Sequence, residues 1–191
     1  KSDVEGQLTL KKWDEKEEIK NIIENNIFGV DINEESVEIT KLSLFLKIAR
    51  KNKKLIDLSN NIKHGNSLVD NENIDKKFSF DWTKNFPDIM DNKGFDIVIG
   101  NPPYVFTREV EFSDKFKEYI SENYLNSKDS VSKSHARQSG KINLYSLFLI
   151  KSKDLLKDNG IISFIIPNNI LRTTTYDIVR KGIMDSNIYL F

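Results

Sequence analysis

The chain has 191 residues, with 29 lysines and arginines balanced by 29 aspartates and glutamates, no cysteine, two histidines and 38% hydrophobic residues. That is one domain's worth of chain, long enough to bury a sizeable core; it leaves no disulfide framework or thiolate metal site, no expected metal centre from two isolated histidines, and no apolar run near the roughly 20 residues that span a bilayer. The charged start is unlike a signal peptide, and a net charge of zero is unusual for a domain that grips nucleic acid by itself, because such domains concentrate positive charge to displace counterions.

In chain order, residues 11–26 are charged and helix-compatible and lead into a short strand over 26–31. Asn33 is placed to cap the next helix, whose dipole Glu34 and Glu35 complement. Leu42, Phe45, Leu46 and Ala49 fall at helical spacing, which predicts an apolar stripe laid on a sheet, with Arg50, Lys51, Lys53 and Lys54 at its carboxyl end. A weak strand near 61–64 precedes Gly65-Asn66-Ser67-Leu68, and residues 69–94 are loop-rich. The apolar run Phe95-Asp96-Ile97-Val98-Ile99-Gly100 predicts a buried strand. Residues 106–141 read as a polar insertion and flexible loop, 142–157 as a helix, 161–166 as a strand, and the segment from about 175 as a last helix. Strands alternating with helices imply an α/β fold with a mostly parallel sheet and flanking helices.

The strand at 95–100 opens directly into Asn101-Pro102-Pro103-Tyr104, whose parts suit the methylation of an amino group. An exocyclic amine conjugated to a ring is a poor nucleophile; it improves when two acceptors hold its hydrogens and its lone pair points at an electrophilic methyl. The Asn101 side-chain oxygen can be one acceptor and the Pro102 carbonyl the other, since consecutive prolines fix φ, supply no N–H and favour extended backbone before them. Tyr104 offers an aromatic face, and stacking a base on such a face contributes about 1–3 kcal/mol. Taken alone the tetrapeptide is equally a proline-stiffened turn. Its place at the carboxyl edge of an α/β sheet, where such folds bind ligands, favours the catalytic reading.

Phe80-Asp81-Trp82, Asn85-Phe86-Pro87, the run from Gly94 to Val105, and Asn143-Leu144-Tyr145 with Phe148 and residues 155–162 together resemble the N6-adenine DNA methyltransferases, and the surrounding text resembles the large fused restriction–modification enzymes of type IIG. The resemblance covers nearly the whole chain and is weakest at 1–20 and 106–140. It implies a cytoplasmic bacterial or archaeal enzyme that transfers methyl from S-adenosylmethionine to a flipped adenine in double-stranded DNA. It further implies a Rossmann-like methyltransferase fold over residues 1–191 as one catalytic domain.

The resemblance also places the donor. Asp31, just past a strand, would accept the ribose hydroxyls, with Ile32 beside it; the bland alternative is that Asp31 only helps start the next helix. Asn66, with Ser67, stands where the family contacts the donor's adenine amino group, and Asn101 borders the same site. Phe148 matches a position packed against that adenine, although Leu144, Leu147, Phe148 and Leu155 also form an ordinary apolar stripe. Tyr176 matches a second base-stacking aromatic, with packing of the last helix as its alternative. Lys133, His135, Arg137 and Lys141, in a Ser-rich stretch, meet phosphates or belong to a solvated linker.

The family's glycine-rich turn, which wraps the methionine half of the donor, has no counterpart here, because Gly6 and Gly29 are isolated. The expectation is therefore a partial fold lacking its first strand, a portion of a larger enzyme whose upstream glycine-rich motif and downstream target-recognition domain are its partners. Such a portion should by itself bind the donor weakly or not at all and show no turnover. Two other readings stay open: a methyltransferase for another conjugated amino group, such as a release-factor glutamine or a ribosomal RNA guanine, and a nucleic-acid-binding module without catalysis.

Overall fold

A computed structural model describes residues 14–49, 56–107, 113–125 and 143–184. The chain divides into two compact units, Lys1–Gly65 and Asn66–Phe191. Among the described residues the strands form two two-stranded parallel sheets, one in each unit, and the α/β class with parallel pairing is as the alternation predicts. Among the described residues no helix is long and apolar enough to cross a membrane.

In the first unit, helix α1 (Glu15–Asn26) starts at Asp14, whose carboxylate accepts from the Lys16 and Glu17 N–H groups, with Glu15, Glu17 and Glu18 in the first turn. Strand β1 (Gly29–Asp31) pairs in parallel with β2 (Ile62–His64), Gly29 opposite Ile62 and Asp31 opposite His64. Between them lies α2 (Glu34–Ile48), capped by Asn33, whose side-chain oxygen accepts from Ser36 N at 2.9 Å.

The predicted stripe on α2 is corrected by the structure. Leu42 and Leu46 are 56% and 63% exposed, while Val37 and Ile48 are buried. The helix carries apolar residues on two faces, 37, 44 and 48 on one and 39, 42 and 46 on the other, and spacing alone cannot choose between them. The first face wins, and Ile48 joins Ile23 and Leu58 in the core with Ile19, Leu44 and Ile56 packed against them.

Buried Asn61 ties this unit together. Its amide donates to the carbonyls of Glu24 at 2.8 Å and Ile27 at 3.1 Å, satisfying the open carboxyl end of α1, and its own carbonyl accepts from Gly29 N at 2.9 Å. Asn61→Ala should destabilise the unit by about 1 kcal/mol, because the partly buried carbonyls that end α1 then lose their donor. Urea unfolding followed by circular dichroism reads this loss.

In the second unit, two short helices, α3 (Trp82–Asn85) and α4 (Pro87–Asp91), punctuate the loop-rich stretch before β3 (Phe95–Gly100). Asp81 caps α3; burial works against its charge, but bonds from Lys84 and Thr83 overcome that and hold its carboxyl below the ordinary range. Helix α5 (Asp114–Ile120), capped by Ser113, continues as a wider helical turn through Ser121–Leu125. This part of the predicted insertion is therefore folded, and Phe116, Tyr119, Ile120 and Tyr124 are buried.

Helix α6 (Leu144–Leu155) leads into β4 (Leu156–Phe164), which runs parallel to β3 with Ile97 opposite Ile161 and Gly100 opposite Phe164. The turn into β3 puts Gly94 at φ +109°, and a Cβ there would overlap the Leu155 carbonyl, so only glycine fits. Past β4, the turns Asn168–Leu171 and Thr174–Tyr176 precede α7 (Asp177–Met184).

Two clusters make the core of this unit. Leu68, Val69, Phe116, Tyr119, Ile120, Tyr124 and Leu147 form one. Tyr145, Leu149, Ile170, Tyr176 and Val179 form the other, with Ile162, Phe164 and Ile166 packed on it. One face of the β3–β4 sheet is covered in this way, and Ile97, Ile99, Ile161 and Ile165 remain exposed.

Candidate active site

The site begins where β3 ends. Gly100 lies against Phe164, so closely that a Cβ would meet that ring at 3.1 Å, and its carbonyl accepts from Ile165 N at 3.3 Å. β4 thus holds the chain up to the last residue before Asn101. Pro102 is buried while Asn101, Pro103 and Tyr104 are exposed. On the far side, the Val105 carbonyl accepts from Leu144 N at 2.8 Å, and Phe106 bridges Asn143. Residues 101–104 are therefore clamped at both ends.

Within the clamp, the Tyr104 hydroxyl lies 2.9 Å from Asn101 Oδ1 and 2.7 Å from the Ile165 carbonyl oxygen. The Pro102 carbonyl accepts no hydrogen bond from the described residues. Two oxygens of the kind an amine needs thus stand one residue apart in sequence, beside an aromatic ring that is 47% exposed.

A buried aromatic supports that ring. The edge-to-face contact between Tyr104 and Tyr145 has centroids 6.2 Å apart, and Tyr145 contacts Tyr176 in turn at 5.6 Å. Tyr145 is fully buried and its hydroxyl donates to Asn169 Oδ1 at 2.8 Å. Burial, followed by the neighbouring Tyr176 hydroxyl, pushes the Tyr145 phenol far above its ordinary range, so it stays a donor throughout the physiological pH range. Tyr176 is 2% exposed and sits in the core behind Tyr145.

Asn143 is a buried cap. Its side chain accepts from Tyr145 N at 3.4 Å and its carbonyl accepts from Ser146 Oγ at 2.7 Å, which fixes the first turn of α6 and with it the Tyr145 ring. In the sequence, Asn143 and Tyr145 stand out only through the family resemblance. Their positioning of Tyr104 depends on tertiary contacts that no local pattern encodes.

Asn66 is held on all sides. Its N–H donates to the Phe78 carbonyl at 2.5 Å, its amide NH2 to Asp75 at 3.1 Å, and its side-chain oxygen accepts from Leu68 N at 3.2 Å. The Ser67 carbonyl accepts from the Trp82 indole N–H at 3.1 Å. Trp82 belongs to an aromatic group in which Phe80 and Phe95 meet it edge-on at 5.3 and 5.8 Å and Phe86 at 5.7 Å. The Phe80-Asp81-Trp82 and Phe86-Pro87 text thereby fastens the Asn66–Ser67 turn to the start of β3. Phe148 is half-buried against the cluster that contains Leu68 and Val69, the two residues that follow the Asn66–Ser67 pair.

In the first unit, Asp31 is exposed and its Oδ1 accepts from Asn33 N at 2.7 Å, which is its share in starting α2. Ile32 is 53% exposed, and its carbonyl accepts from the His64 ring nitrogen at 2.9 Å. Lys133, His135, Arg137 and Lys141 lie outside the described residues.

Comparison with known proteins agrees with the motif text. The family described as Eco57I restriction-modification methylase matches residues 25–189. The type II restriction enzyme and methyltransferase RM.Eco57I of Escherichia coli is 28% identical over 174 residues, 86% of this chain and 16% of that protein. A putative type II restriction enzyme and methyltransferase of Methanocaldococcus jannaschii is 29% identical over 110 residues, 58% of this chain and 8% of that protein. The modification methylase CviBIII of Paramecium bursaria Chlorella virus NC1A is 33% identical over 98 residues, 51% of this chain and 21% of that protein. The chain thus spans between 8% and 21% of the length of these relatives. With the match covering most of its residues, the chain belongs to the Eco57I restriction-modification methylase family.

Proposed function

We propose that this chain is the catalytic segment of an S-adenosylmethionine-dependent DNA methyltransferase that modifies the N6 amino group of an adenine drawn out of the duplex. The observation that carries the reading is the clamped turn at the end of β3, in which the Tyr104 hydroxyl lies 2.9 Å from Asn101 Oδ1, the Tyr104 ring is exposed, and Pro102 follows Asn101 directly in the chain. The relatives' names, restriction enzyme and methyltransferase or modification methylase, support the reaction class.

Asn101 Oδ1 accepts one amino hydrogen and the Pro102 carbonyl the other. Holding both hydrogens in hydrogen bonds raises the electron density on the nitrogen and lets it pyramidalise toward the methyl group, so that its lone pair leaves conjugation with the ring and acts as a nucleophile. Two oxygens fixed by backbone and neighbours also stabilise the positive charge that grows on nitrogen. Tyr104 supplies the face on which the base stacks, and Tyr145, with Tyr176 behind it, keeps that face in place.

In the first unit the second oxygen of Asp31 has no partner among the described residues, and Asp31, with Ile32, is this reading's candidate for the donor's ribose. In the second unit the half-buried Phe148 offers an apolar wall, and Phe148, Ser67 and Asn66, whose side chain is engaged with Asp75 and Leu68, are its candidates for the adenine. When bound, the donor supplies an electrophilic methyl on a sulfonium. The Rossmann-like arrangement belongs to this reading, as do duplex recognition and any cleavage by other parts of the full-length protein. Lys133, His135, Arg137 and Lys141 remain its candidates for phosphate contacts.

The test offers methyl-labelled S-adenosylmethionine and the full-length protein to duplex DNA, ribosomal RNA and a release factor in parallel. Label in the DNA alone is expected. Label confined to RNA or protein would replace this reading with its enzymatic alternative, a methyltransferase for another conjugated amino group.

A further inference from the structure

The Tyr104 hydroxyl carries one proton and faces two acceptors, Asn101 Oδ1 at 2.9 Å and the Ile165 carbonyl at 2.7 Å. A phenol donates once, so the acceptors compete for a single hydrogen. Neither the ring's stacking role nor its support by Tyr145 needs this hydroxyl, because phenylalanine would stack equally well. Ile165 is itself held, its N–H donating to the Gly100 carbonyl at 3.3 Å. The second acceptor is thus part of the same clamp that presents Asn101.

We infer that Tyr104 is a positioning residue for Asn101 as well as a stacking face. With no amine bound, its proton lies on Asn101 Oδ1 and selects the amide orientation in which oxygen, not nitrogen, faces the site. When the amine takes Oδ1, the phenol turns its proton to the Ile165 carbonyl, and no polar group is stranded by the exchange. The device keeps Asn101 oriented before the substrate arrives and releases its oxygen without leaving the phenol unpaired.

This inference rests on the reading of Asn101 as an amine acceptor, and a double-mutant cycle separates the two. Single-turnover methyl transfer is measured for the full-length wild type, Tyr104→Phe, Asn101→Ala and the double variant, with donor and DNA affinities measured alongside. Tyr104→Phe keeps the ring, and at a half-exposed position it is compatible with folding. Its rate should fall about tenfold, the worth of one hydrogen bond, with both affinities changed by less than about twofold; in the Asn101→Ala background it should cost nothing further.

A wild-type rate for Tyr104→Phe, or the same loss in both backgrounds, would overturn the inference, because the hydroxyl would then act without Asn101. A wild-type rate for Asn101→Ala would instead remove the acceptor reading on which it rests.

Discussion

Asn101→Ala in the full-length protein is expected to slow methyl transfer by two to three powers of ten while leaving the affinity for S-adenosylmethionine nearly unchanged. The side chain stands at the exit of β3, exposed, with its oxygen within hydrogen-bond distance of a phenol that holds its orientation. Removing one preorganised partner of a developing charge costs about 3 kcal/mol in the transition state, and alanine removes it without disturbing the buried Pro102 beside it. Single-turnover rates with saturating donor, together with a calorimetric dissociation constant, distinguish this loss from a binding defect. An unchanged rate would mean that the amine is held by other groups.

Tyr145→Ala should be still more damaging, through a different route. Tyr145 is fully buried between Tyr104 and Tyr176, packs with Leu149, Ile170 and Val179, and donates to Asn169. Truncating a buried aromatic to alanine costs about 3–5 kcal/mol, and here Asn169 also loses its donor. The second unit should unfold at much lower denaturant, and the Tyr104 ring should lose its edge support. Tyr145→Phe removes only the hydroxyl and should cost about 1 kcal/mol. Guanidinium titrations of both variants decide the point, and a mild effect of alanine would show that the cavity collapses or that the ring is not a support.

The parts of this protein legible in the sequence are those set by local chemistry. Asn33 caps α2 because a side-chain oxygen before a helix has orphan N–H groups to satisfy, and the apolar run before Asn101 becomes β3, although none of its residues is buried as that run predicts. Choices made by tertiary packing were not legible. On α2 two apolar faces competed, and the buried one was not the one that spacing suggested. Helix α5 hid in polar surroundings, although Phe116, Tyr119, Ile120 and Tyr124 recur at helical intervals. At the site, the tetrapeptide was readable, while the Ile165 carbonyl and the Tyr145 support depend on which strand lies beside β3. Asn66 illustrates a middle case: its position in a turn could be read, but its partners Asp75 and Phe78 come from the loop that follows.

Nucleoside mass spectrometry shows whether the clamped turn Asn101–Tyr104 serves the amino group of adenine. Duplex DNA incubated with the full-length protein and S-adenosylmethionine, then digested to nucleosides, should contain N6-methyldeoxyadenosine, and the Asn101→Ala protein should form almost none in the same time. Methyl found on cytosine, or N6-methyldeoxyadenosine formed equally by wild type and Asn101→Ala, would rule out that role for the turn.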